Sequence, residues 1–314
     1  MKFSIILCTY NRADLVTKTL NSLINQNFSK KKFEIVVVDN NSTDNTQNAV
    51  QKIVRLNPKA SIYFFKERKQ GKSHSCNKGI AESKNEFLIF LDDDELVNKD
   101  FLKLYEKNWK KFLKDKQIAM LGGKIHPYYK SLKAKKLHKI KTIEDWVLGL
   151  HQLGESIREL RFPDYLLAGN FSVKRSVAMK ILGFNTNFGI RKWGFLFFAD
   201  DLEFCYRLMK NGYKIVYLPE IIVFNLVTEN RLDLKYQIKK YILGGIEIET
   251  LDRLTLSKSE FNKKIVIMFE YIYHILKNKY FFRANLNEKL QLIFNCSYII
   301  HGISPFKILK SDNY

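Results

Sequence analysis

The stretch Phe87-Leu-Ile-Phe-Leu-Asp-Asp-Asp-Glu-Leu96 constrains the chain more than any other. Five consecutive apolar residues bounded by charge read as a strand buried on both faces of a parallel sheet. Three carboxylates, Asp92, Asp93 and Asp94, follow where that strand ends. Beyond them Phe101, Leu102, Tyr105, Trp109 and Phe112 fall at helical spacing, with Asn98 placed to cap the helix. Open α/β sheets bind ligands outside the carboxyl ends of their strands, so the triplet stands at a predicted ligand crevice. Crowded carboxylates repel one another unless a cation lies among them, and hard oxygen donors suit Mg²⁺ or Mn²⁺. A solvated acidic turn that merely caps a helix would read the same in isolation.

The segments before the triplet repeat one rhythm. Phe3 to Cys8 reads as a strand, Thr9-Tyr-Asn-Arg12 as a polar turn, and Leu15, Thr19, Leu20, Leu23 and Ile24 as one face of a helix. Glu34 to Asp39 is a second, β-branched strand that ends in an acid. Asn40 to Asn45 is dense in side chains that bond backbone amides, a turn and helix cap. A helix on Ala49, Val50, Ile53 and Val54, a strand from Ser61 to Phe65, a loop at Arg68 to Lys72 and a helix near His74 to Ser83 complete the run. Strand and helix alternating in this way predict a parallel α/β sheet with right-handed crossovers.

The middle is less regular. Lys130 to Lys141 carries six lysines and no acid. It reads either as an exposed loop or as a contact for anionic lipid, each lysine contributing about 1 kcal/mol at a surface. Asp164 to Lys174 reads as a strand. In Phe198 to Met209, Leu202, Cys205, Tyr206 and Met209 share one helical face, which puts Asp200, Asp201 and Glu203 in the first turn. Acids there complement the helix dipole with no further role needed, and Arg207 is spaced to pair with Glu203. Lys214 to Leu218 and Ile221 to Phe224 read as two more strands. From about Asn230 the pattern changes to three helices, with Tyr271, Tyr273, Tyr280, Phe281 and Phe282 near Lys277, Lys279 and Arg283. Such faces either pack on the main domain or lie in a membrane interface.

Fifty-three basic against 32 acidic residues give a formal charge of +21, which calls for a polyanionic neighbour: nucleic acid, anionic lipid or a phosphate-bearing substrate. No nucleic acid is expected, because the Lys130 to Lys141 run has no interleaved aromatic residues. Cys8, Cys76, Cys205 and Cys296 show no metal or redox spacing, as expected of reduced thiols in the cytoplasm. The apolar start is too short for a signal peptide, and no run reaches the roughly 18 to 20 apolar residues of a membrane span. The expectation is a soluble protein, or one peripheral on the inner face of the cell membrane.

Five motifs stand in order: Cys8-Thr-Tyr-Asn-Arg12, Val38-Asp-Asn-Asn-Ser-Thr-Asp44, Gly71-Lys-Ser-His-Ser-Cys-Asn-Lys-Gly79, Leu91-Asp-Asp-Asp94 and Ala199-Asp-Asp-Leu-Glu203. Together they resemble the family 2 glycosyltransferases, inverting enzymes with a GT-A fold, over roughly residues 1 to 225. The resemblance implies a Rossmann-like, mostly parallel mixed sheet flanked by helices, with a donor-binding and catalytic domain at 1–228. A helical region at 229–314 would face the acceptor or a membrane. It implies a nucleotide-sugar pocket at Thr9, Tyr10, Arg12, Asp39 and Asn41, with Gly71, Lys72 and Asn77 as its second wall. Asp92 would face the ribose with Asp93 beside it, and Asp94, with Asp92 and Asn225 as further ligands, would hold Mn²⁺ or Mg²⁺ on the diphosphate. Which of Asp93 and Asp94 ligates directly stays open. Asp201, with Asp200 beside it, would be the general base.

Many family members carry a histidine ligand where this chain has Asn225, a poorer ligand. The Gln-x-x-Arg-Trp motif of processive synthases is absent, which implies addition of one sugar or a few. The implied reaction moves a sugar from a nucleotide-diphosphate sugar, UDP-linked foremost, to a glycan or lipid-linked acceptor of the cell envelope. A sugar nucleotidyltransferase is one competing class, but it would show a glycine-rich basic loop after the first strand, and Cys8 to Arg12 holds no glycine; a basic non-enzymatic protein binding nucleic acid or lipid is the other, suggested by charge alone.

Overall fold

The computed structural model describes residues 1–141, 143–190, 196–197, 200–277 and 285–303. Phe198, Ala199 and the aromatic-basic segment Lys279 to Arg283 of the sequence reading lie outside these residues. The first half alternates as β1 (Phe3–Thr9), α1 (Ala13–Ile24), β2 (Phe33–Asp39), α2 (Thr46–Leu56), β3 (Ile62–Lys66), α3 (Lys72–Glu82) and β4 (Phe87–Asp92). It continues through β5 (Glu95–Val97), α4 (Phe101–Phe112), β6 (Ile118–Tyr129), α5 (Leu132–Lys141), β7 (Arg158–Glu159), β8 (Phe171–Lys174) and α6 (Arg175–Lys180). Then come β9 (Gly189–Ile190), β10 (Leu196–Phe197), α7 (Asp200–Lys210) and β11 (Lys214–Val227), followed by helices α8 (Leu234–Thr255), α9 (Lys258–Lys277) and α10 (Leu286–Ile303).

The main sheet runs β3-β2-β1-β4-β8-β6-β11-β5, with β7 also on β11. β3, β2, β1 and β4 are mutually parallel. β8 is antiparallel to both β4 and β6, so β6 and its parallel neighbour β11 point the same way as β1. The carboxyl ends of β1, β2, β4, β6 and β11 therefore share one edge. The sheet is buried on both faces. Ile5, Ile35 and Ile89 face Leu20, Leu23, Val50, Trp109 and their neighbours on α1, α2 and α4. Ile6 and Phe90, one residue out of phase, face Ile80, Phe184, Phe204 and Leu208 on the other side. Each fully buried aliphatic or phenyl side chain contributes about 1.5–3 kcal/mol, which fixes the register of these strands.

The α/β class and the mixed, mostly parallel sheet agree with the sequence reading; five local readings do not. β6 went unread because Gly122-Gly123 interrupts its apolar run. Both glycines are required: a Cβ on Gly123 would lie 2.0 Å from the Ile221 carbonyl oxygen and one on Gly122 2.5 Å from that of Asn170. The strand expected over Asp164 to Lys174 is only Phe171–Lys174, since Asn170 turns the chain and spends its amide on the Lys124 and Ile221 carbonyls. The two strands expected at 214–218 and 221–224 are one, β11, with an irregularity between Tyr217 and Ile222. The lysine run is a helix, α5, started by the Ser131 hydroxyl accepting from Ala134 N at 3.0 Å. Asp100, not Asn98, precedes α4.

The C-terminal helices pack where the parallel strands end. Leu232, Tyr241 and Leu290 join Ala134, Val147, Leu148 and Val227 in one apolar cluster. α8 and α10 approach backbone to backbone at Gly245, whose Cβ would lie 2.3 Å from the Phe294 carbonyl oxygen. Among the described residues no helix is long and apolar enough to cross a membrane.

Candidate active site

The turns after β1 and β2 are tied to each other. Asn11, at φ 52°, accepts from Thr43 N at 2.7 Å through its side chain, and its own N–H donates to the Ser42 hydroxyl at 2.8 Å. Asp39, fully buried at the end of β2, accepts from Ser42 N at 3.2 Å. Asn40 accepts from Gly71 N at 2.8 Å and donates to Lys69 O at 2.8 Å, so it shapes the loop entering α3. Gly71 sits there at φ 141°, a backbone state closed to most side chains. Thr9, Tyr10, Asp39, Asn41, Gly71 and Lys72 are thus brought to one edge of the sheet. Asn77 is not: its amide both donates to Phe184 O and accepts from Phe184 N, each at 2.7 Å.

The triplet is divided among three cations. Lys72 Nζ lies 2.9 Å from Asp92 Oδ1. Arg12 reaches Asp93 Oδ1 at 2.8 Å and Asp94 Oδ2 at 3.1 Å. Arg231, from the turn that follows β11, pairs with the same Asp94 oxygen. Thr9 Oγ1 donates to Asp93 at 2.7 Å, and Thr19 Oγ1 to the Asp93 carbonyl at 2.9 Å. Burial pushes the Asp93 carboxyl up to about 6 although Arg12 opposes the shift. Burial pushes Asp92 up as well, but Lys72, aided by Arg12 and Arg231, outweighs it and leaves that carboxyl below the ordinary value. Glu95 backs the turn, accepting from Asp92 N at 2.9 Å, and it touches Gly169 so closely that a Cβ there would lie 2.1 Å from its oxygen.

Asp200 and Asp201 open α7, and both are buried. Asp201 Oδ2 accepts from Ala168 N at 2.9 Å, while Oδ1 is buried with no hydrogen-bond partner among the described residues. Burial raises the Asp201 carboxyl above its ordinary range, against the pull of Lys72. Lys72 in turn is held well above its usual value: burial lowers it, but Asp92, Asp201 and Asp200 together prevail. One ammonium therefore lies within electrostatic reach of both the triplet and the acidic pair. Glu203 is spent on Arg207 at 2.5 Å, as its spacing predicts.

Asn225, near the end of β11, donates to Leu148 O at 3.0 Å and accepts from Arg231 at 3.2 Å. Asp94 and Asn225 do converge, but on the Arg231 guanidinium. The oxygens expected to ligate a cation are thus engaged: Asp92 with Lys72, and Asp94 with two arginines. No group of three histidine, cysteine or acidic side chains is arranged to hold a metal among the described residues. As arranged, this donor set does not fit a divalent ion. Sequence reasoning missed Arg231, Asn40, Thr19 and Glu95. Only Arg231 left a signal, a basic residue close behind the last strand.

The family model for glycosyl transferase family 2 matches residues 4–165, just over half the chain. The chain belongs to that family. A second model, glycosyl transferase family group 2, matches residues 87–309 and so extends the likeness into the C-terminal helices. Among relatives, poly-beta-1,6-N-acetyl-D-glucosamine synthase of Staphylococcus aureus is 26% identical over 271 residues, 86% of this chain. The chain spans 61% of that relative's length. A Methanococcus voltae dolichyl N-acetyl-alpha-D-glucosaminyl phosphate 3-beta-D-2,3-diacetamido-2,3-dideoxy-beta-D-glucuronosyltransferase is 24% identical over 87% of this chain and 79% of its own.

Two solved structures share the fold. A Pyrobaculum calidifontis mannosyltransferase in complex with GDP-Man and Mn²⁺ aligns with TM-score 0.62 at 16% identity, over 96% of this chain and 86% of the other. S. aureus TarS 1-349 in complex with UDP-GlcNAc aligns with TM-score 0.57 at 21% identity, over 97% and 82%. The GT-A architecture of this family 2 member agrees with the expectation drawn from its motifs.

Proposed function

We propose that this family 2 member is an inverting hexosyltransferase that moves a sugar, one or a few at a time, from a UDP-sugar to a hydroxyl of a glycan or lipid-linked acceptor. Synthesis of cell-envelope polysaccharide or lipo-oligosaccharide is the setting. The observation that carries the reading is Asp201: a buried carboxylate with one unpartnered oxygen, joined through the field of Lys72 to the Asp92 end of the triplet. In this reading Asp39, Thr9, Tyr10, Arg12 and Asn41 hold the base and ribose, with Gly71 and Lys72 opposite. Asn77 supports that wall through the 183–184 turn.

The reaction follows from these placements. The acceptor hydroxyl approaches the anomeric carbon from the face opposite the diphosphate, and Asp201 Oδ1 takes its proton as the new C–O bond forms. The bond from the anomeric carbon to the diphosphate oxygen breaks, and the electron pair leaves with UDP. Positioned proton transfer of this kind contributes roughly 10²–10⁴-fold. Asp200 helps hold Lys72 charged beside the departing group. The resemblance implies Mn²⁺ or Mg²⁺ on the diphosphate; since the donor set does not fit one as arranged, no step is routed through a metal.

The relatives' names support the donor and the setting: a poly-N-acetylglucosamine synthase, a transferase onto a dolichyl-phosphate-linked sugar, and TarS with UDP-GlcNAc bound. Addition of few sugars rests on the lack of Gln-x-x-Arg-Trp. The nearest segment is Gln237-Ile-Lys-Lys-Tyr241 in α8, with Gln237 and Tyr241 both buried. We assign residues 1–228 to donor binding and catalysis, and 229–314 to the acceptor or an anionic membrane surface. Screening UDP-sugars for release of UDP tests the reading. At least one should be turned over by the parent chain and not by Asp201→Asn, and failure of every nucleotide sugar to bind would overturn it.

A further inference from the structure

We infer that Arg231 occupies the cation position of the donor site, so that a guanidinium supplied by the chain, and not a divalent metal, meets the diphosphate. The inference rests on the donor reading above and goes beyond it. Arg231 belongs to the turn Glu229–Leu232, immediately past β11, and its side chain is only 18% exposed. One nitrogen bonds Asn225 Oδ1 at 3.2 Å and Leu148 O at 3.4 Å, while the other pairs with Asp94 Oδ2. It thus stands between Asp94 and Asn225, the two side chains that would otherwise share a metal.

Chemistry favours the guanidinium there. Asn225 donates its own amide to Leu148 O, which turns its oxygen toward Arg231. A neutral carboxamide oxygen suits an N–H donor at least as well as a hard dication, and a guanidinium offers five donors in a planar fork that matches phosphate oxygens. With Asn225 and Leu148 fixing the plane, much of the ordering cost is met before a ligand arrives. Arg12, 42% exposed and already on Asp93 and Asp94, and Lys72 on Asp92 stand on either side. Three fixed cations match the three carboxylates of the triplet. A diphosphate entering beside them meets charge-assisted donors, aimed where negative charge grows as the sugar leaves.

The test is calorimetric titration of the full chain with UDP and separately with GDP, once with Mn²⁺ and once after EDTA. At least one nucleotide should bind with an affinity that chelation changes by less than about threefold, since the guanidinium remains. In EDTA, Arg231→Ala should weaken binding by about tenfold or more, the scale of one lost charged contact. Mn²⁺ should restore much of that loss, because the variant opens Asp94 and Asn225 to the ion. Arg231→Gln keeps a planar amide for Asn225 without the charge and repeats the test should the alanine variant unfold. Wild-type binding that disappears in EDTA and returns with Mn²⁺ overturns the inference while leaving the donor reading intact. Unchanged metal-free affinity in both variants also overturns it. Binding of neither nucleotide in either buffer overturns both.

Discussion

Replacing Asp201 by asparagine separates chemistry from architecture. The carboxylate uses one oxygen to accept from Ala168 N at 2.9 Å and leaves the other buried without a partner. An amide of the same shape turns its carbonyl oxygen to Ala168 and puts its NH₂ where the idle oxygen was, so the loop before β8 keeps its anchor. Lost is the capacity to take the acceptor's proton, a fall in turnover of roughly 10²–10⁴-fold, or about 3–5 kcal/mol of barrier. Stability should move the other way. Burial holds the folded carboxyl above its unfolded value, so the folded state binds its proton more tightly, and stability falls as pH rises from the ordinary value of 3.8 through the raised one. The amide carries no charge to bury, so it removes that cost wherever the carboxyl is ionised. The assay is UDP release from donor with and without acceptor, beside calorimetric UDP binding and a thermal melt at neutral pH. The expected result is lost transfer, retained UDP affinity and a melting midpoint unchanged or higher. Turnover within about threefold of the parent would remove Asp201 from the mechanism. Loss of UDP binding together with a lowered midpoint would make it a structural cap on α7.

Three further outcomes follow from the same structure. Burial depresses His151 from 6.5 to about 4, so the unfolded chain binds the extra proton between those values and stability is lost as pH falls through them; between pH 7 and 4.5 the parent should lose about 2 kcal/mol more than His151→Phe in urea titrations. Gly123→Ala places a Cβ 2.0 Å from a backbone oxygen of β11, which cannot yield as a side chain would; a loss of about 3 kcal/mol or more is expected, read as a fall in the denaturant midpoint. Glutamine at positions 133, 135, 136 and 139 should halve or better the fraction of protein sedimenting with anionic vesicles if α5 meets a membrane, and equal recovery with and without anionic lipid would count against that contact.

The fold was legible where hydrophobic periodicity was uninterrupted. β1, β2 and β4 are apolar runs bounded by polar turns, and their helices repeat at 3.6 residues, so each was placed to within a residue or two. β6 was not, because its centre is Gly122-Gly123, residues that read as a turn and are there because neighbouring backbones come within contact distance. The strand expected from Asp164 failed for the opposite reason. Tyr165 to Ala168 is apolar enough for a strand, yet it is a loop whose backbone N–H at Ala168 anchors Asp201. Local pattern sees hydrophobicity; it does not see which backbone groups a distant side chain claims.

The candidate site divides along the same line. Thr9, Asp39, the Asp92–Asp94 triplet and the acidic pair opening α7 announce themselves because they sit at ends of periodic elements, where side chains leave the core. Arg231 stands at such an end too, 4 residues past β11, but among 53 basic residues that position alone is too weak a signal to pick it out. What singles it out is a set of three partners, Asp94, Asn225 and Leu148, that are 137, 6 and 83 residues away along the chain. Charge count alone assigned the chain's excess of +21 to a polyanionic neighbour; the structure shows that part of it faces inward, onto the three carboxylates of the triplet. A residue whose role depends on convergence of that kind becomes visible only once the strands that carry its partners are side by side.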